Sequence, residues 1–161
     1  MRIDWKESYR TGNAQMDAQH LQWFNQVNDF LKAPDRDSRS IAAKNLYHFT
    51  RLHFREEDQL MQLTLYPVAR EHTRRHNDTL VHMRLLLEQI AHDTVDMEKW
   101  RAFLLDLFLH HITDADLKLA AFVTSQKKAA KSRVGEMDAP WWTALTKGYA
   151  DTARDTSPGP L

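Results

Sequence analysis

The 161-residue sequence contains no cysteine. Disulfides, thiolate nucleophiles, iron–sulfur clusters and sulfur-based zinc sites are therefore excluded. Glycine and proline are scarce, with 4 and 5 residues, which argues against a turn-rich β architecture and against a long disordered chain. Net charge is missing too, because 22 Lys and Arg balance 22 Asp and Glu. A general nucleic-acid binder shows a basic excess or stripe. The short cluster Lys127, Lys128, Lys131 and Arg133 reads as a solvated helix end, so no nucleic-acid partner is expected. No stretch approaches the roughly 18 uncharged apolar residues of a membrane span. The opening MRIDWKESYRTG lacks the apolar core of a signal peptide. A soluble cytoplasmic protein is the expectation.

What the chain does have is histidine, 9 residues of it, and 42% hydrophobic residues, enough for one domain-sized core. Without thiolates, a transition-metal site must use imidazole nitrogens and carboxylate oxygens.

Residues 1–16 read as an irregular arm carrying Trp5, Tyr9 and Met16. Four helical segments follow. The first is expected over Asp17–Lys32, with Asp17 as its cap and Phe24, Val27 and Leu31 on its apolar stripe. The second is expected over Ser38–Thr64, with Ala42, Leu46, Phe49, Leu60 and Met61 near one face, and Tyr66-Pro67 breaks the pattern after it. The third covers Val68–His92, with Leu80, Met83, Leu87 and Ile90 aligned. The fourth begins near Met97 and runs at least to Phe122, with an extension to Lys131 left open. Short connections make neighbours antiparallel, so the fold class is all-α: an up-down-up-down four-helix bundle with an N-terminal arm and a C-terminal helical extension. Residues 1–130 form the bundle; residues 131–161 form the extension, in which Trp141, Leu145 and Tyr149 mark a short fifth helix before a tail or linker.

The histidines are placed by the helical period of about 100° per residue. His20 falls on the apolar stripe of the first helix. His53 and Glu57 stand at i, i+4 on the second, and His72 and His76 at i, i+4 on the third. A carboxylate within an apolar face costs several kcal/mol unless it is paired, coordinated or protonated. On the fourth helix His111 and Asp116 lie on opposite edges of the apolar face, five residues and roughly 140° apart on a regular helix. Sharing one site requires Asp116 to reach across the bundle axis, or a local π-type widening of the helix. His110 and Asp114 have the neater spacing but project to solvent, and His48, His82 and His92 have no metal role. Each pair alone has a bland explanation in a hydrogen-bonded rim or helix edge. Together, five histidines and two carboxylates from four helices can gather at one end of the bundle. Seven ligands suit two ions, and imidazole with carboxylate suits iron, manganese or zinc.

The ordered motifs resemble the hemerythrin family, especially its bacterial members. They are Trp5-x3-Tyr9 with Gly12, Asp17-Ala-Gln-His20, His53-Phe-Arg-Glu-Glu57 with Met61 and Tyr66-Pro67, His72-x3-His76, and His111-Ile-x3-Asp116. The match spans about residues 3–125. The resemblance implies two non-haem iron ions, one held by His72, His76 and His111 and the other by His20 and His53. Glu57 and Asp116 would bridge them together with an oxo or hydroxo group. It further implies reversible binding of O2, or of another small diatomic ligand, at the His20–His53 side. No organic substrate is turned over, so no enzyme activity is expected. Oxygen carriage, storage or sensing are the functions implied, and the extension could join a signalling domain or protein partner. Departures from the family pattern are Thr11 and Asn13 around Gly12, Leu107 and Phe108 in place of the usual Trp and Leu, and Leu119 where Tyr is common. A redox-sensing module, a di-iron peroxidase or oxidase, and a metal-free helical interaction module stand as alternatives.

Overall fold

A computed structural model describes residues 2–133, without the side chains of Phe108 and residues 131–133. The chain divides into two compact units, Met1–Phe122 and Val123–Leu161. The arm and the site described below belong to the first. The expected fifth helix around Trp141 lies outside the described residues.

The described residues are helical without a strand. After one 3₁₀ turn at Glu7–Tyr9 come α1 (Ala14–Lys32), α2 (Arg36–Leu63), α3 (Ala69–Ala91) and α4 (Met97–His110). A π-helical stretch, His111–Asp116, continues α4 directly into α5 (Leu117–Arg133). α1 packs on α2, α2 on α3 and α1 on α4. Arg36, at the start of α2, bonds the carbonyls of Ile90 and Ala91 at the end of α3. Asp58, late in α2, meets Thr73 and His76 early in α3. The two helices therefore run antiparallel, as the short connections require.

The helix ends follow from local chemistry. Asn13 caps α1, its Oδ1 accepting from the Gln15 and Met16 amides. Asp35 caps α2 through the Ser38 amide, and Asp96 accepts from the Lys99 amide at the start of α4. Such caps satisfy amides that would otherwise be orphaned, and each contributes about 1 kcal/mol. α2 and α3 close with the second residue beyond the helix in the left-handed region, Leu65 at φ 53° and Asp93 at φ 56°. In both turns an amide reaches back five residues, from Tyr66 to Met61 and from Thr94 to Gln89. Side chains usually avoid that conformation, and here the carbonyls it satisfies end each helix.

One expectation is corrected. Asp17 does not cap the first helix, which starts three residues earlier. Its carboxylate is buried and accepts from the Thr11 amide and hydroxyl at 2.7 and 2.9 Å. The polar residues flanking Gly12 thus have separate tasks: Thr11 ties the arm to Asp17, Asn13 caps α1, and Gly12 between them turns at φ 81°. The arm is fixed again at Asn28, whose amide both accepts from and donates to the backbone of Ile3. Trp5 and Tyr9 pack on Phe24.

Apolar residues of α1, α2, α3 and α4 fill the half of the bundle that holds Phe30, Leu46, Leu86, Ile90 and Leu104. On α2, Leu46 and Met61 are buried as the pattern places them, while Ala43 is buried in place of its partly buried neighbour Ala42. On α3, Met83 and Ile90 are buried as expected, with Leu86 buried in place of its partly buried neighbour Leu87. The other half of the bundle carries the polar site. No helix among the described residues is long and apolar enough to cross a membrane.

Candidate metal centre

All seven expected residues are buried in one place. His20, His53, Glu57, His72, His76, His111 and Asp116 are each at most 5% exposed. His110 and the remaining histidines, His48, His82 and His92, lie on the surface. α1 supplies His20, α2 supplies His53 and Glu57 one turn apart, and α3 supplies His72 and His76 one turn apart. His111 and Asp116 are the first and last residues of the π-helical stretch. The wider π turn overcomes the angular separation that a regular α-helix would impose on residues five apart. His111 Nε2 consequently approaches Asp116 Oδ1 at 3.2 Å.

Two overlapping groups form, each able to hold a metal ion. One is Glu57, His72, His76 and His111; the other is His20, His53, Glu57 and Asp116. Within each group the ligand atoms lie within 4.8 Å of one another. The carboxylates span both. Glu57 Oε2 lies 3.1 Å from His76 Nε2, 3.6 Å from His72 and 3.7 Å from His111, while Oε1 lies 3.6 Å from His53. Asp116 Oδ1 lies 3.2 Å from His72 and His111, while Oδ2 lies 3.0 Å from His20.

These atoms have no aligned hydrogen-bond partner among the described residues. The Nε2 atoms of His20, His53, His72, His76 and His111, both oxygens of Glu57 and both of Asp116 are buried and unsatisfied. Leaving that many polar atoms without a partner would cost as much as a domain's whole net stability, at about 1–3 kcal/mol each. The donor set is all imidazole and carboxylate, which fits two first-row ions. A metal pair would satisfy every one of these atoms.

The electrostatics agree. Burial works against ionisation of Glu57, and Asp116 opposes it too, yet His53, His111 and His76 hold its carboxyl at about 2. Burial likewise opposes the Asp116 charge, and His111, His20 and His72 hold that carboxyl well below its usual range. Burial lowers His53 to about 4 despite Glu57. His76 is driven the other way: burial is outweighed by Asp58 and Glu57, which raise it to about 9. Two ionised carboxylates in a closed site attract cations.

Residues the sequence did not single out hold the histidines in place. His53 Nδ1 donates to Gln19 Oε1 at 3.1 Å, and Gln19 in turn donates to Glu56. His76 Nδ1 donates to Asp58 Oδ1 at 3.1 Å, and the Thr73 hydroxyl donates to the same oxygen at 2.7 Å. Each bond leaves the Nε2 lone pair of its imidazole facing the centre. Gln19 and Asp58 are chain neighbours of His20 and Glu57, and adjacency alone does not reveal which helix they bond to. Phe54 stacks on His76, with ring centroids 3.9 Å apart and planes 7° from parallel, and Trp23 packs edge-on against Phe54. These rings pack directly against the ligand imidazoles.

The family model described as "Hemerythrin HHE cation binding domain" matches residues 11–123. No curated protein is significantly similar. Among solved structures, a crystal structure of wild-type hemerythrin aligns at 21% identity and a TM-score of 0.68, covering 74% of this chain and 95% of that chain. Crystal structures of two single-residue hemerythrin mutants, leucine to tyrosine and leucine to alanine, align with the same values. At that identity the likeness is one of fold.

Proposed function

The chain belongs to the hemerythrin family, and from there we propose that it binds O2 reversibly at a non-haem di-iron centre, for carriage, storage or sensing. The ligands would be His72, His76 and His111 for one ion and His20 and His53 for the other, with Glu57 and Asp116 bridging beside an oxo or hydroxo group. The observation that carries this reading is the set of five Nε2 atoms and four carboxylate oxygens, all buried, all convergent and none with an aligned hydrogen bond among the described residues. A pair of ferrous ions supplies the two electrons that reversible O2 binding takes up and returns.

The chain's part is to hold the site in place. Gln19 and Asp58 fix two of the imidazoles by their Nδ1 atoms. Glu57 and Asp116 give each ion carboxylate charge in a site that supplies no other. Trp23 and Phe54 pack against His53 and His76 and hold their rings in place. One group offers three imidazoles and the other two, so the His20–His53 side has the room for a small ligand. Di-iron oxidases and their relatives use more carboxylate, typically a Glu from each of two helices and Glu-x-x-His pairs from the others. Five histidines against two carboxylates favour a binding role over turnover of an organic substrate. The proposed location is the cytoplasm.

The test is optical. Anaerobically reduced protein is exposed to O2 and then returned to anaerobiosis. A charge-transfer band that appears with O2 and vanishes on its removal is the expected result. A band that forms once and never reverses, or multiple turnovers with peroxide and a reductant, would overturn the reading in favour of redox sensing or catalysis.

A further inference from the structure

The histidines of the two groups differ in what their outer nitrogens meet. His76 Nδ1 meets the carboxylate of Asp58 directly, at 3.1 Å. His53 Nδ1 meets the neutral amide oxygen of Gln19, also at 3.1 Å. His20 Nδ1 is buried with no hydrogen-bond partner among the described residues. Negative charge therefore reaches one group through a single hydrogen bond. On the other side, the nearest comparable carboxylate, Glu56, stands behind Gln19.

We infer that Asp58 is a positioning residue that makes the two metal positions unequal, with the His72–His76–His111 position the tighter and the first to fill. The inference rests on the two-metal reading above. A carboxylate on the outer nitrogen of a ligating imidazole orients the ring and makes it a stronger donor. Asp58 is well placed to do both. The Thr73 hydroxyl donates at 2.7 Å to the very oxygen that His76 uses, so the carboxylate cannot turn away. Its side chain is 28% exposed, which leaves its charge only partly screened. Phe54 covers one face of His76 at 3.9 Å, fixing the ring from the other direction. Three imidazoles against two already favour the same position, and Asp58 widens the gap.

The charge can be separated from the shape. Asp58→Asn keeps the size and an accepting oxygen but removes the charge. The full-length chain, stripped of metal, is titrated with Co²⁺ under nitrogen, and the visible spectrum follows two stepwise binding constants. In Asp58→Asn the first constant falls by roughly 10- to 100-fold, the usual effect of losing such a partner, and the second is unchanged. Gln19→Ala does the reverse, weakening the second step and sparing the first. Thr73→Val, which leaves the charge but frees the carboxylate, lowers the first constant by less than Asp58→Asn. This variant keeps the question answerable if Asp58→Asn folds poorly. A merely structural role for Asp58 would lower both constants together. That result, or an unchanged first constant, would overturn the inference, as would two equal constants in the wild type. A wild-type chain that takes up no metal would overturn the two-metal reading itself, and the inference with it.

Discussion

Glu57 and Asp116 divide their oxygens in the same way. Each turns one oxygen, Oε2 or Oδ1, toward His72 and His111, and the other, Oε1 or Oδ2, toward His53 or His20. They come from different helices, one from late in a regular helix and one from the end of a π-helical stretch. Two carboxylates that each face both halves of a buried cluster are placed to bridge a pair of ions.

Replacing a bridge is therefore predicted to be worse than replacing a surface histidine. Glu57→Ala removes carboxylate charge from both positions and should lose most of the bound iron. His110→Ala should leave iron content unchanged, because His110 is exposed and bonds only Asp106. Iron quantification of both purified variants checks this, and equal losses would show the wrong face of the helix has been assigned to the site.

Metal removal should lower stability. The unpaired carboxylates and imidazoles at the centre oppose folding when no cation is present. Metal at a free concentration of about 100 times its dissociation constant adds roughly 2.7 kcal/mol. For a chain of this size that corresponds to an increase in Tm of about 5–10 °C. Thermal melts with and without a chelator test this; a Tm indifferent to chelation would count against a metal-dependent core.

The arm should depend on Asn28. Its amide is buried and makes both backbone bonds to Ile3. Asn28→Leu leaves both Ile3 groups unpaired, a cost of about 1–3 kcal/mol. Hydrogen exchange should show the Ile3 amide losing protection while the amides of α2 and α3 keep theirs. Unaltered protection at Ile3 would mean that the other arm contacts, Trp5 and Tyr9 on Phe24 and Thr11 on Asp17, hold it without Asn28.

Gly12→Ala should cost about 1 kcal/mol through backbone conformation alone. A Cβ there would meet nothing within 4 Å, but φ is +81°, a region L-residues avoid. Gly12→Asn should cost less than Gly12→Ala, since Asn tolerates the left-handed region better. Denaturant unfolding of the two variants gives the order, and equal losses would point to a packing cause.

The long helices and six of the seven site positions were legible because helical period and burial leave the same mark: a histidine or carboxylate on an apolar stripe must be doing something there. Asp116 was harder. Five residues from His111, it fits only a widened helix, and a sequence pattern read at the regular period places it at the edge of the face. The start of α1 was misplaced for a different reason. Asp17 and Asn13 are both good capping residues, and only the arm's path decides between them; Asp17 is engaged by Thr11. Gln19 and Asp58 could not be read as partners of His53 and His76, because those bonds cross between helices. Local sequence carries no record of such a contact.

The most direct measurement of the central claim is the metal content of the chain expressed in iron-replete medium and purified without chelator. Two irons per chain, falling to near zero in Glu57→Ala and staying at two in His110→Ala, is the predicted result. A folded wild-type chain with no iron, or with a single iron that survives Glu57→Ala, would contradict it.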